Sequence, residues 1–192
     1  MNEKFEYARI FTSDCYVADF TKQTQSQRGV ELSESPFEDI HSFHLSNPNQ
    51  IEYWGVNFEE HQSFFKDPGS VDVVSQCECM FVSKNARKKG WVCLVELKYC
   101  EEHNIERNSD KAYDQLVVTL DFLLKKNVLS LRDHRFYLNI SVPDHSNKEP
   151  FSSFQNTQDR LLSLKKRGVF LLGYNNVLIF NEAFIKVPKV EV

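Results

Sequence analysis

Glu96 and Lys98 close the apolar run Trp91-Val92-Cys93-Leu94-Val95-Glu96-Leu97-Lys98 and put a carboxylate and an ammonium side by side. Alternation in a β-strand sends residues 92, 94, 96 and 98 to one face, so both charges share a face with Val92 and Leu94. A charge buried on such a face is costly unless it is paired or bound to an ion. A second acid is within reach. Val73 to Ser83 reads as a strand and residues 84–90 as a polar hairpin loop. A symmetric loop that pairs 84 with 90 sets Glu78 directly opposite Glu96, with Cα atoms roughly 4.5–5.5 Å apart. Facing carboxylates destabilise a ladder. A divalent cation between them reverses the sign, because hard cations take carboxylate oxygen. Asp72 rivals Glu78 as the first acid, but it lies six residues away, roughly 20 Å along a regular strand. Glu78 is the better choice.

The elements that must position these residues can be read in outline. Residues Asp110 to Lys126 have the spacing of a long amphipathic helix, with Tyr113, Leu116, Val117, Leu120, Leu123 and Leu124 on one stripe and Gln115 beside it. His134 to Pro143 reads as a strand ended by proline, and Phe154 to Arg167 as a helix stopped by Gly168. Residues 169–172 and 177–180 read as a hairpin around Gly173-Tyr174-Asn175-Asn176. Before residue 70 the pattern is weaker. Residues 6–11 and 15–20 fit short strands or helical turns, Thr21 to Ser35 a loop, and Ser35-Pro36 a helix start running to Phe43. Asn57 to Phe65 fits a short helix, and Asp67-Pro68-Gly69-Ser70 a turn. The order predicts a single α/β domain over 1–192, a mixed central β-sheet flanked by helices.

At 192 residues and 41% hydrophobic, the chain can bury a sizeable core. No stretch approaches the roughly 20 apolar residues of a membrane span, and the first residues lack the form of a signal peptide. Five cysteines without an export signal point to free thiols and a cytoplasmic setting. The net charge of −4 is uneven: residues 1–60 carry −7 and the remainder +3. The chain therefore divides into an acidic N-terminal region, 1–70, and a mildly basic core, 71–192.

The text Cys77-Glu78-Cys79-Met80-Phe81-Val82, then Leu94-Val95-Glu96-Leu97-Lys98, then Tyr113-Asp114-Gln115-Leu116 resembles the PD-(D/E)XK nuclease superfamily. The resemblance covers roughly residues 70–143. It implies a restriction-endonuclease-like core and a metal-dependent endo- or exonuclease using Mg²⁺ or Mn²⁺, with DNA ahead of RNA as substrate. By the same resemblance Glu78 and Glu96 are metal ligands, with the Leu97 carbonyl joining them. Lys98 steers water or stabilises charge on the phosphate, and Gln115 matches a glutamine that some members carry on the following helix. The early helix acid of some members could be Glu38, Glu59 or Glu60. The chain departs from the pattern in having no Pro-Asp dipeptide and Glu where Asp is usual. The chemistry stands on its own terms: phosphodiester cleavage needs a cation to polarise phosphate and activate water, and a positive group near developing charge.

Plainer readings apply to the same residues. Glu96 and Lys98 would serve as a strand-end ion pair, worth little at a surface. Cys77, Cys79 and Cys93 fall at odd positions, on the face away from the carboxylates, and read as small buried hydrophobes. His41 and His44 are spaced i, i+3 on the expected early helix but have no completing acids. Arg87-Lys88-Lys89, Lys125-Lys126 and Lys165-Lys166-Arg167 are ordinary loop and helix ends, or phosphate contacts. Arg87, Lys88 and Lys89 suit nucleic-acid binding best if the hairpin tip lies beside the site. Two rivals to the nuclease remain: a catalytically silent module on the same fold that binds a protein partner, and a nucleic-acid binder without cleavage. A homodimer is an expectation of the resemblance alone.

Overall fold

Strand β7 (Gly90–Leu97) has all eight residues buried, because it is covered on both faces. The computed structural model describes residues 8–21, 28–66, 75–151 and 158–187. In it β7 lies inside a six-stranded sheet with β1 (Arg9–Phe11), β5 (Tyr53–Asn57), β6 (Cys79–Ser83), β8 (His134–Ser141) and β9 (Val169–Leu172). The order is β1-β5-β6-β7-β8-β9. β1, β5, β6 and β7 run alternately up and down, and β8 and β9 lie parallel to β7. A second, five-stranded sheet is built from β2 (Cys15–Asp19), β3 (Val30–Ser33), β4 (Phe43–Ser46), β10 (Asn176–Asn181) and β11 (Phe184–Lys186), in the order β11-β10-β4-β2-β3.

Two cores follow from alternation along the shared strands. Cys79, Phe81, Trp91, Cys93, Val95 and Leu97 face the second sheet and pack with Val17, Phe43, Leu45 and Ile179. Met80, Val82, Val92 and Leu94 face helix α1 (Ile105–Lys125), where Ala112, Leu116, Leu120 and Leu123 have no exposed surface. Leu116, Leu120 and Leu123 lie on the stripe the spacing predicts, whose Tyr113, Val117 and Leu124 are partly buried at its edge, and Ala112 joins it. α1 carries the chain back along the sheet, so that β8 starts beside the start of β7, Gly90 opposite His134. The second helix, α2 (Gln158–Lys166), precedes β9, and Gly168 ends it at φ +77°, a conformation glycine adopts without penalty. The molecule is a single mixed α/β domain with two mixed sheets and a few helices.

Several expectations are revised. Residues 35–43 form bends and then enter β4 rather than a helix, so His41 and His44 share no helical face. The loop expected over 21–35 contains β3, which the second sheet recruits by pairing with β2. Residues 169–180 form no hairpin: β9 joins the first sheet, while β10 joins the second, parallel to β4. The turn between them crosses from one sheet to the other. Its buried Asn175 is held by Ser141 Oγ at 2.8 Å and by the Val142 backbone. α1 begins at Ile105, five residues before Asp110. The expected short helix near 57–65 is a 3-10 helix over Glu59–Phe65. Residues 1–70 supply β1 to β5 and thus parts of both sheets. The turn at 67–70, Asp72 and the expected strand residues 73–74 lie outside the described residues. No described helix is long and apolar enough to cross a membrane.

Candidate functional site

The β6–β7 ladder has the expected register. Cys79 lies opposite Val95, Met80 opposite Leu94, Phe81 opposite Cys93 and Val82 opposite Val92. Beyond Cys79 the alternation breaks. The Glu78 amide donates to the Val95 carbonyl at 3.1 Å, although Val95 already faces Cys79. Cys77 then lies in the helix-side core with Met80 and Val82, while Cys79 lies between the sheets. Two residues sharing one partner, with a change of face, is the form of a β-bulge. The bulge is held from both sides: Phe58 N donates to Glu78 O at 3.0 Å, and Cys77 N donates to Thr119 Oγ1 on α1 at 2.8 Å. Cys77 therefore takes the helix-facing place beside Glu96 that plain alternation assigns to Glu78. Glu78 stands half-buried at the strand end.

Glu96 continues the helix-facing row of Val92 and Leu94 and has no exposed surface; Lys98 is 7% exposed. Lys98 Nζ donates to the Glu96 carboxylate and, at 2.7 Å, to Gln115 Oε1 on α1. Gln115 Nε2 donates to the Gln76 carbonyl at 3.2 Å, and its own backbone carbonyl accepts from Thr119 at 2.8 Å. Glu96, Lys98 and Gln115 thus form one hydrogen-bonded cluster beneath the helix. Mutual pairing and the fixed amide offset part of the cost of burying the two charges. Leu97, the last residue of β7, turns its side chain into the intersheet core. Burial pushes the Cys77 thiol well above its ordinary value, and the nearby Glu96 and Glu78 carboxylates push it further.

A cleft of about 170 Å³ opens at this end of the sheet, lined by Gln76, Cys77 and Glu78 together with Asp19, Glu59 and Gln62. Asp19 ends β2 with 2% exposure, and its Oδ1 accepts from the Thr21 amide at 2.9 Å and from the Thr21 hydroxyl. Glu59 Oε2 accepts from the Val30 amide at 2.6 Å. Of the three acids weighed for the early position, Glu59 lines the cleft, and Glu60 accepts from Asn57 Nδ2 at 3.3 Å. Asp19 was not singled out from the sequence, where an acid ending a five-residue strand carries no signal. Among the described residues, no three His, Cys, Asp or Glu side chains are grouped as a ready-made metal site. The donor chemistry at the cleft nonetheless fits a hard cation. Its lining carries the carboxylates of Asp19, Glu59 and Glu78, and magnesium commonly takes only one or two protein carboxylates and completes its shell with water and phosphate.

Arg87, Lys88 and Lys89 lie elsewhere. Their loop joins the end of β6 to the start of β7, whereas Glu96 is near the end of β7. Six residues separate Gly90 from Glu96, about 20 Å along a strand. The structure therefore brings Glu96, Lys98 and Gln115 together, sets Glu78 on the adjoining cleft, and leaves the basic turn at the far end of the sheet. Comparison with protein-family models, with curated proteins and with solved structures returned no match.

Proposed function

We propose that this protein is a metal-dependent hydrolase of nucleic-acid phosphodiester bonds, with Glu78, Glu96, Lys98 and Gln115 as its working residues. The observation that carries the reading is the buried Glu96–Lys98–Gln115 cluster at the end of a central strand, next to an acid-lined cleft. Support also comes from the order of elements. Two strands joined by the 84–89 loop bear Glu78, just before β6, and Glu96 in β7, a helix carries the glutamine, and the next strand, β8, lies parallel to β7. That is the order in which the PD-(D/E)XK pattern sets its parts. Glu78 and Glu96, with the Leu97 carbonyl, would hold Mg²⁺ or Mn²⁺. When bound, such an ion supplies Lewis-acid polarisation of the phosphate and lowers the pKa of water. Lys98 provides a fixed positive charge for the negative charge that develops on phosphate, and Gln115 sets its direction. The acids at the cleft repel free phosphate until their charge is offset, which favours entry of substrate and cation together.

A second reading has its own observation. Glu96 and Lys98 form a nearly buried ion pair, and no three-ligand group is assembled among the described residues. On that reading the cluster is structural, and the protein is a silent module that binds nucleic acid or a protein partner. Incubation of labelled single- and double-stranded substrates with Mg²⁺ or Mn²⁺ separates the two. The hydrolase requires cleavage that chelator stops and Glu78→Gln abolishes in a protein of unchanged melting temperature. Intact substrate under all these conditions would leave the silent module.

A further inference from the structure

Three basic clusters, far apart in sequence, meet at the end of the sheet opposite Glu96. The β6–β7 loop brings Arg87, Lys88 and Lys89 there. α1 ends there with Lys125, because the chain must return to start β8 beside Gly90. α2 ends there with Lys165 and Lys166, since Phe136 at the start of β8 donates to the Gly168 carbonyl. Arg167 Nη2 binds Asp121 Oδ1 of α1 at 3.0 Å, so the two helix ends adjoin. Lysines in the last turn of a helix are accounted for by its dipole. The loop cluster has no such account: Arg87 and Lys88 are exposed, and no ion pair engages either among the described residues. A groove of about 430 Å³ runs between this loop and the β10–β11 turn, with Glu182 the acid on its rim.

Apolar rings stand beside these cations. Phe180 and Phe184 are 45% and 41% exposed, which is unusual for phenylalanine. Lys186 Nζ lies 3.4 Å from the Phe180 ring centre, and the Arg135 guanidinium lies 4.3 Å from that of Phe184. Arg135 also donates to the Lys89 and Ala183 carbonyls at 3.2 and 3.3 Å, which fixes the loop against the turn. Cations spread along an edge with solvent-facing rings beside them match a strand whose phosphates are neutralised and whose bases stack. A duplex hides its base faces and has no use for the rings.

We infer that this basic end, with Arg87, Lys88 and Lys89 at its groove and Phe180 and Phe184 beside it, binds single-stranded nucleic acid. The surface names the substrate class for the proposed hydrolase, yet its binding does not depend on cleavage. The test is fluorescence anisotropy of a labelled oligothymidylate of about twenty nucleotides and of a duplex of equal length, in chelator so that the Glu78/Glu96 site plays no part. The single strand should bind at low salt and weaken roughly 20-fold between about 50 and about 200 mM salt if three phosphates are neutralised. Joint replacement Arg87→Glu, Lys88→Glu and Lys89→Glu, or Lys165→Glu with Lys166→Glu, should weaken binding by about tenfold or more with the melting temperature retained. Phe180→Ala with Phe184→Ala should weaken the single strand more than the duplex. Absence of binding at low salt, indifference to both charge reversals, or tighter binding of the duplex would each overturn the inference.

Discussion

Replacing Lys98 by methionine removes an ammonium while keeping most of its apolar stem. Glu96 then remains with no exposed surface, without the cation that donates to it. Breaking a buried pair by deleting one partner costs about 3–5 kcal/mol, because the surviving charge stays desolvated. Against a typical domain stability of about 5–15 kcal/mol that is a large fraction. At about 2–4 °C per kcal/mol for a chain of this size, Lys98→Met should lower the melting temperature by roughly 10 °C. The double variant Glu96→Leu with Lys98→Met should recover most of the loss, since replacing both charges by apolar groups is often neutral or stabilising. Urea denaturation of the native chain, both single variants and the double variant completes the cycle. A loss below about 1 kcal/mol in Lys98→Met, with additive single effects, would refute the reasoning, because it would mean that water already solvates the pair.

Other consequences follow from single contacts. Thr119→Val deletes the acceptor of the buried Cys77 amide and should cost about 1–3 kcal/mol in urea denaturation, loosening the bulge that sets Glu78. Gly55→Ala should cost about 1–3 kcal/mol, because its new methyl carbon would lie 2.7 Å from the Phe11 ring and 3.2 Å from Leu32 in the intersheet core. Burial raises the Glu149 carboxyl above its ordinary value, despite the Asn175 amide that donates to it. Its contribution is therefore fully present below the ordinary carboxyl range and is lost as pH rises through the raised value. Melting temperatures from pH 4 to 7 should show Glu149→Gln gaining on the native chain as pH rises. Thiol-reactive reagent should label Cys100 before Cys15, Cys77, Cys79 and Cys93, since only Cys100 is not buried. Mass spectrometry at short times reads the order.

The parts of the fold visible in the sequence are those with long, regular periodicity. The eight-residue β7, the leucine stripe of α1 and the β6–β7 register all follow from counting residues on one face. So does the meeting of Glu96 with Lys98, since they are two apart on a strand. The second sheet was opaque because its strands are three to six residues long and their partners are distant in sequence. β4, for instance, pairs with β10 across more than a hundred residues. The bulge at Glu78 was hidden for a similar reason. It depends on Phe58 and Thr119, neither of which is a sequence neighbour. One inserted residue exchanged the faces of Cys77 and Glu78 while leaving the hairpin register intact. The distance between the basic turn and Glu96, by contrast, is implicit in the length of β7.

Calorimetric titration of Mn²⁺ into the native chain and into Glu78→Gln tests the proposed site most directly. The hydrolase reading predicts binding in the micromolar to millimolar range, lost in the variant at unchanged melting temperature. Heat of binding that is absent from the native chain, with and without single-stranded nucleic acid present, would contradict it and leave Glu96 and Lys98 as a structural pair.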